Sequence, residues 1–314
     1  MVVCFFIIDF FSVLIVIAMD AEAKPFVEHL ELEVLHDFFP PTTPFKAYGG
    51  THTTLHNNNN TPTTKTTEDG VVAAVETTTT TTTTITSTEF EIITNVTVIV
   101  NGVDTIYGTG VDSVGTVPAS LSTYLALQKL TAASSTTSTT GVAEEENATI
   151  VVINAGTCGG FRRKNANIGD VYVTTAVMNH DRRIPIPPFV PYGIGHLPST
   201  LSIEQLELLA NQLQFKLGIC STGNSLDCTP VCDEIMIQNN VTVKDMEAAA
   251  ISYVCAMFQN PTIPYIGLKV VTDIVDGEHP TQDEFLQNLH TASVQLQKAL
   301  PTLLDYVSGK DFVF

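Results

Sequence analysis

Three carboxylates follow apolar, strand-like segments of the chain and could act together in one site. Glu22 comes shortly after the apolar segment Ser12–Ala18, and Asp273 comes shortly after the apolar segment Tyr265–Val271. Glu247 follows a stretch rich in β-branched residues. Open α/β sheets bind ligands outside the carboxyl ends of their strands, so we expect these side chains to face one crevice. A strand-terminal carboxylate often only caps the next helix, so one segment alone is weak evidence. Together they predict a site that binds vicinal sugar hydroxyls and supplies an acid for glycosidic cleavage.

A glycine-rich segment supplies a further part of the same rim. Asn154–Gly160 follows the apolar stretch Thr149–Asn154 and contains three glycines. Glycine lets the backbone approach a ligand closely and adopt positive φ. The segment is not GxGxxG and lacks the Lys-Ser/Thr of a phosphate loop, which argues against a nucleotide-phosphate site. We therefore expect Thr157–Gly160 to lie beside the ligand.

Composition bounds the class of protein. The chain has 314 residues, of which 44% are hydrophobic and 15% charged, enough to build a sizeable core. Its net charge of −19 argues against nucleic acid or an anionic membrane as a partner. The six cysteines form no CxxC pair and no set spaced with histidines, so neither a metal nor another cofactor is predicted. Their apolar surroundings predict reduced thiols and a cytoplasmic location.

Strand-like and helix-like segments alternate, which predicts a single α/β domain over residues 1–314. Two low-complexity segments, at about 46–87 and 131–147, lack apolar periodicity and are expected to be surface insertions. The predicted strands are 13–18, 90–96, 97–100, 149–154, 171–177, 241–244 and 265–271. The predicted helices are 22–30, 117–130, 203–215, 247–258 and 282–300.

The apolar N-terminal segment has two interpretations. Phe5–Ala18 resembles the hydrophobic part of a signal peptide, but it contains Asp9 and lacks a basic beginning. Alternatively, Ser12–Ala18 is a fully buried first strand of a parallel sheet. We favour the strand, because it leads directly into the helix-forming residues that carry Glu22. No membrane association is predicted.

Eight motifs follow one another along the chain: Met19–Glu22, Gly110–Ala119, Asn154–Gly160, Ala166–Val171, His180–Pro187, Ser221–Asp227, Lys244–Glu247 and Val271–Asp273. In this order they resemble the motifs of the methylthioadenosine/S-adenosylhomocysteine nucleosidases, plant type especially, in the nucleoside phosphorylase superfamily. They cover nearly everything outside the two insertions and the first dozen residues. The resemblance implies a central twisted mixed β-sheet flanked by helices, a homodimer, and hydrolysis of 5′-methylthioadenosine to adenine and 5-methylthioribose in methionine salvage.

The resemblance implies a role for each of the three carboxylates. Asp273 matches the general acid that protonates N7 of adenine and so makes the base a better leaving group. A carboxylic acid that acts at neutral pH needs a shielded site that raises its pKa. Glu22 matches the base that takes a proton from the attacking water. Glu247 matches the group that holds the ribose 2′- and 3′-hydroxyls.

The resemblance also implies the walls of the substrate site. Thr157 and Gly159 match the loop beside the base. The side chains that match apolar contacts are Leu226 for the adenine ring, Met246 for the ribose, and Met19, Val111 and Ile184 for the 5′-alkylthio group. Two positions depart from the family pattern. Asn224 replaces a frequent aspartate, and Gln282 stands where some members place an aromatic residue over the alkylthio group.

Other functions remain open at this point. His180 and Asp181 could suggest a catalytic dyad, but no nucleophilic partner is indicated, and shaping of the pocket is the better interpretation. A phosphorylase on the same fold would need donors for a phosphate dianion, yet the chain has only four arginines, the first at Arg162. A non-catalytic storage or binding protein is the third alternative. Retention of all three carboxylates argues against it.

Overall fold

A mixed β-sheet forms the centre of the fold. The computed structural model describes residues 11–57, 89–135, 150–259 and 262–308. Within these ranges the strands are β1 Phe11–Ile17, β2 Glu33–Val34, β3 Lys46–Asn57, β4 Glu89–Val100, β5 Ile150–Gly160, β6 Val171–Asn179, β7 Leu197–Pro198, β8 Lys216–Thr222, β9 Val243–Asp245 and β10 Tyr265–Ile274.

Helices flank this sheet. They are α1 Asp20–His29, α2 Thr116–Ser135, α3 Val190–Ile194, α4 Ile203–Leu213, α5 Pro230–Gln238, α6 Ala248–Met257 and α7 Thr281–Ser308. Short 3₁₀ turns lie at Arg162–Lys164 and Pro187–Phe189. Among the described residues, none of these helices combines the length and apolar character needed to cross a membrane.

Part of the sheet closes on itself. The strand order is β10-β6-β8-β9-β5-β1-β4-β3-β2, and β5 also pairs with β10, so β5, β9, β8, β6 and β10 form a ring. The strands β1, β5 and β10 are parallel neighbours around β5. Their carboxyl ends therefore lie at one edge, which is where ligands bind in such sheets.

Two apolar layers hold the helices against the sheet. On one face α1, α4 and α7 pack on it through side chains such as Phe26, Leu206 and Leu296. On the other face α2 and α6 pack through side chains such as Leu127 and Ile251. Burial of these side chains supplies the main favourable term for folding. The predicted fold class, a mixed sheet flanked by helices, is confirmed.

Strand β10 contains an irregularity beside the predicted acid. In its pairing with β5, Val271 lies opposite Cys158 and Asp273 lies opposite Gly159, so Thr272 is an extra residue. A bulge of this kind breaks the alternation of side chains between the two faces of a strand. The side chains of both Thr272 and Asp273 consequently reach the same cavity.

Some predicted boundaries need correction. The segment expected to be an insertion from residue 46 begins with strand β3, whose residues 46–57 pair with all of β4. Threonine is β-branched and suits a half-exposed strand, although it does not create apolar periodicity. The predicted strands 90–96 and 97–100 are one strand, and helix α2 extends to Ser135, into the second expected insertion. The rest of the two segments, 58–88 and 136–149, lies outside the described residues.

The interpretation of Ser12–Ala18 as a strand is confirmed. Strand β1 runs from Phe11 to Ile17 and pairs in parallel with both β4 and β5. Its residues Val13–Ile17 are almost completely buried. A strand that is covered on both faces has a continuous run of apolar residues in its sequence, and β1 has such a run.

Candidate active site

A cavity of about 280 Å³ opens at the carboxyl ends of β1, β5 and β10. Most of the surface that lines it is apolar, as is usual for small-molecule sites, although charged and hydroxyl side chains also contribute to the wall. Eight of the ten predicted site residues line it: Met19, Glu22, Thr157, Gly159, Leu226, Met246, Glu247 and Asp273. The three carboxylates are 3%, 8% and 2% exposed for Glu22, Glu247 and Asp273, respectively.

Glu22 lies in the first turn of α1 and is held by several hydrogen-bond donors. Its Oε1 accepts hydrogen bonds from the Thr157 amide at 2.7 Å and from the Thr157 hydroxyl at 2.6 Å. Its Oε2 accepts one from the Met19 amide at 3.3 Å. Burial raises the pKa of Glu22, while the bonds from Thr157 oppose the shift. The result is a fixed carboxylate that is more basic than an exposed glutamate.

One carboxylate oxygen of Asp273 has no hydrogen-bond partner among the described residues and is available to a ligand. Its Oδ1 accepts a hydrogen bond from the Thr272 hydroxyl at 2.7 Å. Its Oδ2 is buried and has no hydrogen-bond partner among the described residues. Burial raises the pKa of Asp273, which favours the protonated form. A buried carboxylic acid with one unpaired oxygen is suited to donate a proton into the cavity.

The backbone of Gly159 makes room for this acid. A Cβ atom at Gly159 would lie 2.8 Å from Oδ2 of Asp273 and 2.6 Å from Cγ2 of Val275. Any side chain here would displace the carboxylate or the β10 backbone. The predicted importance of this glycine therefore has a steric reason, which is the close approach of β5 to the acid.

Glu247 lies between two helices. It immediately precedes α6, and its Oε1 accepts a hydrogen bond of 2.8 Å from the amide of Gly115, just before α2. Burial, with a smaller contribution from the nearby charge of Asp245, raises the pKa of Glu247 to about 7. The group is thus poised between its neutral and ionised forms near neutral pH.

A buried ion pair lies behind the carboxylates. Lys269 Nζ is 2.8 Å from Asp245 Oδ2, and both side chains are almost completely inaccessible to solvent. Burial opposes the charge on Lys269, but Asp245 reverses this effect and raises the pKa of the ammonium. The same ammonium lowers the pKa values of Glu22 and Glu247 by its charge. It therefore partly offsets the concentration of negative charge in the site.

Lys244 forms another part of the wall that sequence reasoning left without a role. Its ammonium donates hydrogen bonds to the carbonyls of Leu226 and Asp227, each at 2.8 Å, and to that of Ser225 at 3.2 Å. Burial lowers its pKa. The side chain thereby fixes the loop that carries Leu226 over the cavity. Its position in the Lys244–Glu247 motif was the available sequence signal.

Two predicted residues lie outside the cavity wall. Val111 is largely exposed in the connection between β4 and α2, and Ile184 lies in the segment after β6. Val114 and Phe285 occupy the apolar wall instead. From the sequence alone, the spacing of Phe285 in this helix predicts a core residue. It lies three residues after Gln282, which is exposed and does not line the cavity.

Asn224 and His180 have structural partners outside the cavity wall. Asn224 Oδ1 accepts hydrogen bonds from the amide and the hydroxyl of Thr116, each at 3.0 Å, and so caps α2. The backbone amide of Asn224 donates a hydrogen bond of 2.7 Å to Oδ2 of Asp181. His180 Nδ1 lies 3.0 Å from the hydroxyl of Ser221, and burial lowers the pKa of this imidazole to about 4. These contacts agree with a role in shaping the site.

The four arginines, all of which lie in the described ranges, do not line the cavity. Arg163 forms ion pairs with Asp233 and Asp276, and Arg162 pairs with Glu278. Arg182 donates to backbone carbonyls of α3, and Arg183 donates to the carbonyl of His180. None of these guanidinium groups is placed to bind an anion beside Glu22.

Comparison with known proteins identifies the family. The model of a family described as the phosphorylase superfamily matches residues 12–305. The chain belongs to the phosphorylase superfamily. The matched residues include all three carboxylates and the other residues that line the cavity.

Relatives of this superfamily member are nucleosidases. The 5′-methylthioadenosine nucleosidase of Arabidopsis thaliana is 43% identical over 202 residues, which are 64% of this chain and 67% of that protein. The 5′-methylthioadenosine/S-adenosylhomocysteine nucleosidase of the same plant is 42% identical over 216 residues, or 69% and 75% of the two chains. The apo structure of Arabidopsis 5′-methylthioadenosine nucleosidase has a TM-score of 0.72 and 34% identity, covering 96% of this chain and 98% of that one. The predicted family is confirmed.

Proposed function

We propose that this chain hydrolyses the N-glycosidic bond of 5′-methylthioadenosine and releases adenine and 5-methylthioribose. The observation that carries the proposal is the convergence of Glu22, Glu247 and Asp273, buried and differently hydrogen-bonded, on one largely apolar cavity. The names of the Arabidopsis relatives support the choice of substrate. The 5-methylthioribose that is released would serve methionine salvage.

Asp273 and Glu22 divide the proton transfers between them. Asp273 donates its proton to N7 of adenine as the bond between C1′ and N9 breaks, so the base leaves as a neutral molecule. The oxygen of water forms a bond to C1′, and Glu22 accepts the proton that this water loses. Proton exchange with solvent then restores both carboxyl groups. The raised pKa of Asp273 and the fixed carboxylate of Glu22 support these roles.

The remaining cavity residues hold the two ends of the substrate. Glu247 would accept hydrogen bonds from the ribose hydroxyls, which strengthen as the sugar becomes oxocarbenium-like. Met246 would pack on the ribose, and Thr157, Gly159 and Leu226 would surround adenine. Met19, now with Val114 and Phe285, would bury the alkylthio group, which needs only apolar contact. The roles of Val111 and Ile184 stay predictions.

Water, rather than phosphate, is the nucleophile in this proposal. Phosphorolysis needs positive or hydrogen-bonding groups that bind a dianion beside C1′. Each arginine already has protein partners outside the cavity, as described above. The cavity wall next to the proposed water is instead a carboxylate, Glu22, which repels phosphate and attracts a proton from water.

An assay of the products tests the proposal directly. Purified protein is incubated with 5′-methylthioadenosine, with and without inorganic phosphate, and with S-adenosylhomocysteine in parallel. We expect adenine and free 5-methylthioribose at a rate that does not depend on phosphate. Accumulation of 5-methylthioribose-1-phosphate would establish the phosphorylase alternative. Release of no adenine from either nucleoside would favour the binding or storage protein.

Glu22→Gln tests the nucleophile at the level of one residue. An amide cannot take the proton of the attacking water, so we expect kcat to fall by about 10²-fold or more. Glu28→Gln, on the exposed side of the same helix, is the matched control. Retention of most activity in Glu22→Gln would contradict hydrolysis by base-activated water.

We further infer a homodimer and a cytoplasmic location. Apolar side chains are exposed on the outer face of the α2–α6 layer, which supports association through this face; they are Val117, Leu121, Tyr124, Tyr253 and Met257. The location is supported by the five free cysteines of the described residues, since thiols persist in a reducing compartment.

A further inference from the structure

Helix α6 is capped in an unusual way. A carboxylate immediately before a helix commonly accepts a hydrogen bond from the backbone amides of the first turn. Glu247 occupies this position, but its side chain makes no such bond. Its Oε1 instead accepts the amide hydrogen of Gly115, which lies before another helix. Something else must therefore satisfy the first amides of α6, which are buried.

Two side chains from neighbouring strands satisfy them. The amide of Ala248 donates to Oδ2 of Asp245 at 2.9 Å, and the amide of Ala249 donates to the hydroxyl of Thr222 at 2.9 Å. The Thr222 hydroxyl in turn donates to Oδ1 of Asp245 at 2.6 Å. Lys269 pairs with the same Asp245 carboxylate. The Asp245 carboxylate is thus held by three groups of the protein, the Ala248 amide, the Thr222 hydroxyl and the Lys269 ammonium.

We propose that Thr222 and Asp245 cap helix α6 in place of Glu247. Because these two side chains provide the cap, the Glu247 carboxylate stays directed at the sugar of the substrate. The inference rests on the proposed function, because it assigns Thr222 as a positioning residue for that reaction. If the Thr222 hydroxyl is lost, the Ala249 amide becomes a buried donor without a partner. The carboxylate adjacent in sequence, Glu247, is then drawn to the helix and away from the cavity.

Thr222 is the appropriate residue to change. It is fully buried, it does not line the cavity, and it carries no charge. Asp245 lines the cavity and neutralises Lys269, so its substitution would alter several properties at once. Valine has nearly the shape of threonine but lacks the hydroxyl, whereas serine retains the hydroxyl and lacks only a methyl group.

The test compares Thr222→Val with Thr222→Ser on two ligands. We expect Thr222→Val to lower kcat/KM for 5′-methylthioadenosine by about tenfold, because the sugar loses a hydrogen bond to the charged Glu247 side chain. The inhibition constant of adenine should change by less than about twofold, because adenine has no sugar for Glu247 to bind. Thr222→Ser should retain kcat/KM within about threefold of the unmodified protein.

Each outcome decides the inference. A parallel loss of substrate turnover and adenine binding would indicate general damage to the site and would overturn it. So would equal behaviour of the valine and serine variants. If Thr222→Val does not fold, Thr222→Ala provides the same comparison with a smaller side chain. The proposed function fails separately, if the unmodified protein releases no adenine from 5′-methylthioadenosine.

Discussion

Glu22 and Asp273 are both buried carboxylates, and they differ in their hydrogen bonds. Glu22 receives three donors, two of them from Thr157, and hydrogen bonds to a carboxylate favour its ionised form. Asp273 receives one donor and retains an unpaired oxygen. Burial raises the pKa of both groups, and the donors around Glu22 oppose that rise, so hydrogen bonding is the difference that fits a base at Glu22 and an acid at Asp273.

Asp273→Asn tests the acid. We expect adenine release to fall by about 10²- to 10⁴-fold, because the amide fills the same space but has no acidic proton to transfer at neutral pH. Binding of the nucleoside, measured by calorimetry, should persist. Asp283→Asn, in the exposed first turn of α7, is the control and should keep normal kinetics. Near-normal turnover in Asp273→Asn would remove this residue from the mechanism.

Glu247→Gln should make the stability of the unliganded protein less dependent on pH. The pKa of Glu247 is raised to about 7 from an ordinary 4.5, mainly by burial, so its contribution is fully present below pH 4.5. That contribution is lost as the pH rises through 7. The unfolding free energy of the unmodified protein should therefore fall between pH 5 and pH 8. In the variant this fall should be smaller by on the order of 1–3 kcal/mol.

Denaturant titrations at both pH values provide this measurement. The unmodified protein is the reference, and the variant is expected to be more stable than it at pH 8 while losing affinity for the nucleoside. Equal pH dependence in the two proteins would show that Glu247 does not titrate in this range. The group thus illustrates how a binding carboxylate can reduce the stability of an empty site.

Sequence reasoning predicted eight of the residues that line the cavity, because they lie at strand ends and within recognisable motifs. The contributions that it missed depend on contacts between distant segments. Phe285 has the spacing of a core residue, and nothing in its own helix shows that this turn faces the cavity. The pairing of Lys269 with Asp245 likewise arises only when β9 and β10 enter the same closed ring.

At the scale of elements, the β3–β4 pair shows where apolar periodicity fails as a guide. Residues 46–57 are rich in threonine and glycine, and their spacing gives no apolar face. They nonetheless form a full antiparallel ladder with β4. The contacts of His52 and Thr54 with Asp305 of α7 add tertiary support that no local pattern reveals. The strand is specified by its neighbours as much as by its own sequence.

Deletion of residues 58–88 should leave the enzyme intact. The ladder ends at the pair Asn57 and Glu89, so a two-residue Asn-Gly turn can join the two strands there. We expect kcat/KM within about twofold and a Tm within a few degrees of the full chain. As a comparison, a deletion that begins at His52 removes the bonds to Asp305 and should lower the Tm. A strong loss of activity in the first deletion would show that the segment has a functional role.

At the scale of the whole molecule, helix α2 carries an apolar stripe on its outer surface. On α2, Val117, Leu121 and Tyr124 are separated by four and three residues, so they lie on one face, and all three are exposed. The loop before α2 adds the exposed side chains of Ile106 and Tyr107. An apolar surface of this kind is expected to be covered by another protein. A second copy of the chain is the partner that the family resemblance implies.

Leu121→Glu should shift the protein from dimer to monomer, because a charge buried in an apolar interface is strongly unfavourable. Light scattering after size-exclusion chromatography measures the mass. Leu208→Glu, an equally drastic change at an exposed leucine of α4 in the opposite layer, should remain dimeric. If the unmodified protein is monomeric at micromolar concentration, or both variants behave alike, the proposed dimer surface is wrong.

The bulge in β10 also bears on how this site can change during evolution. The direction of Asp273 depends on one additional residue, Thr272, and not only on the identity of the aspartate. Conservative replacements along the strand preserve that direction, whereas loss of the Thr272 codon would remove the bulge and the hydroxyl that holds Oδ1 of Asp273. The site is therefore much more sensitive to a change in chain length at this position than to drift in the surrounding apolar residues. Variation in length is correspondingly expected in the connections far from the carboxyl end of β10.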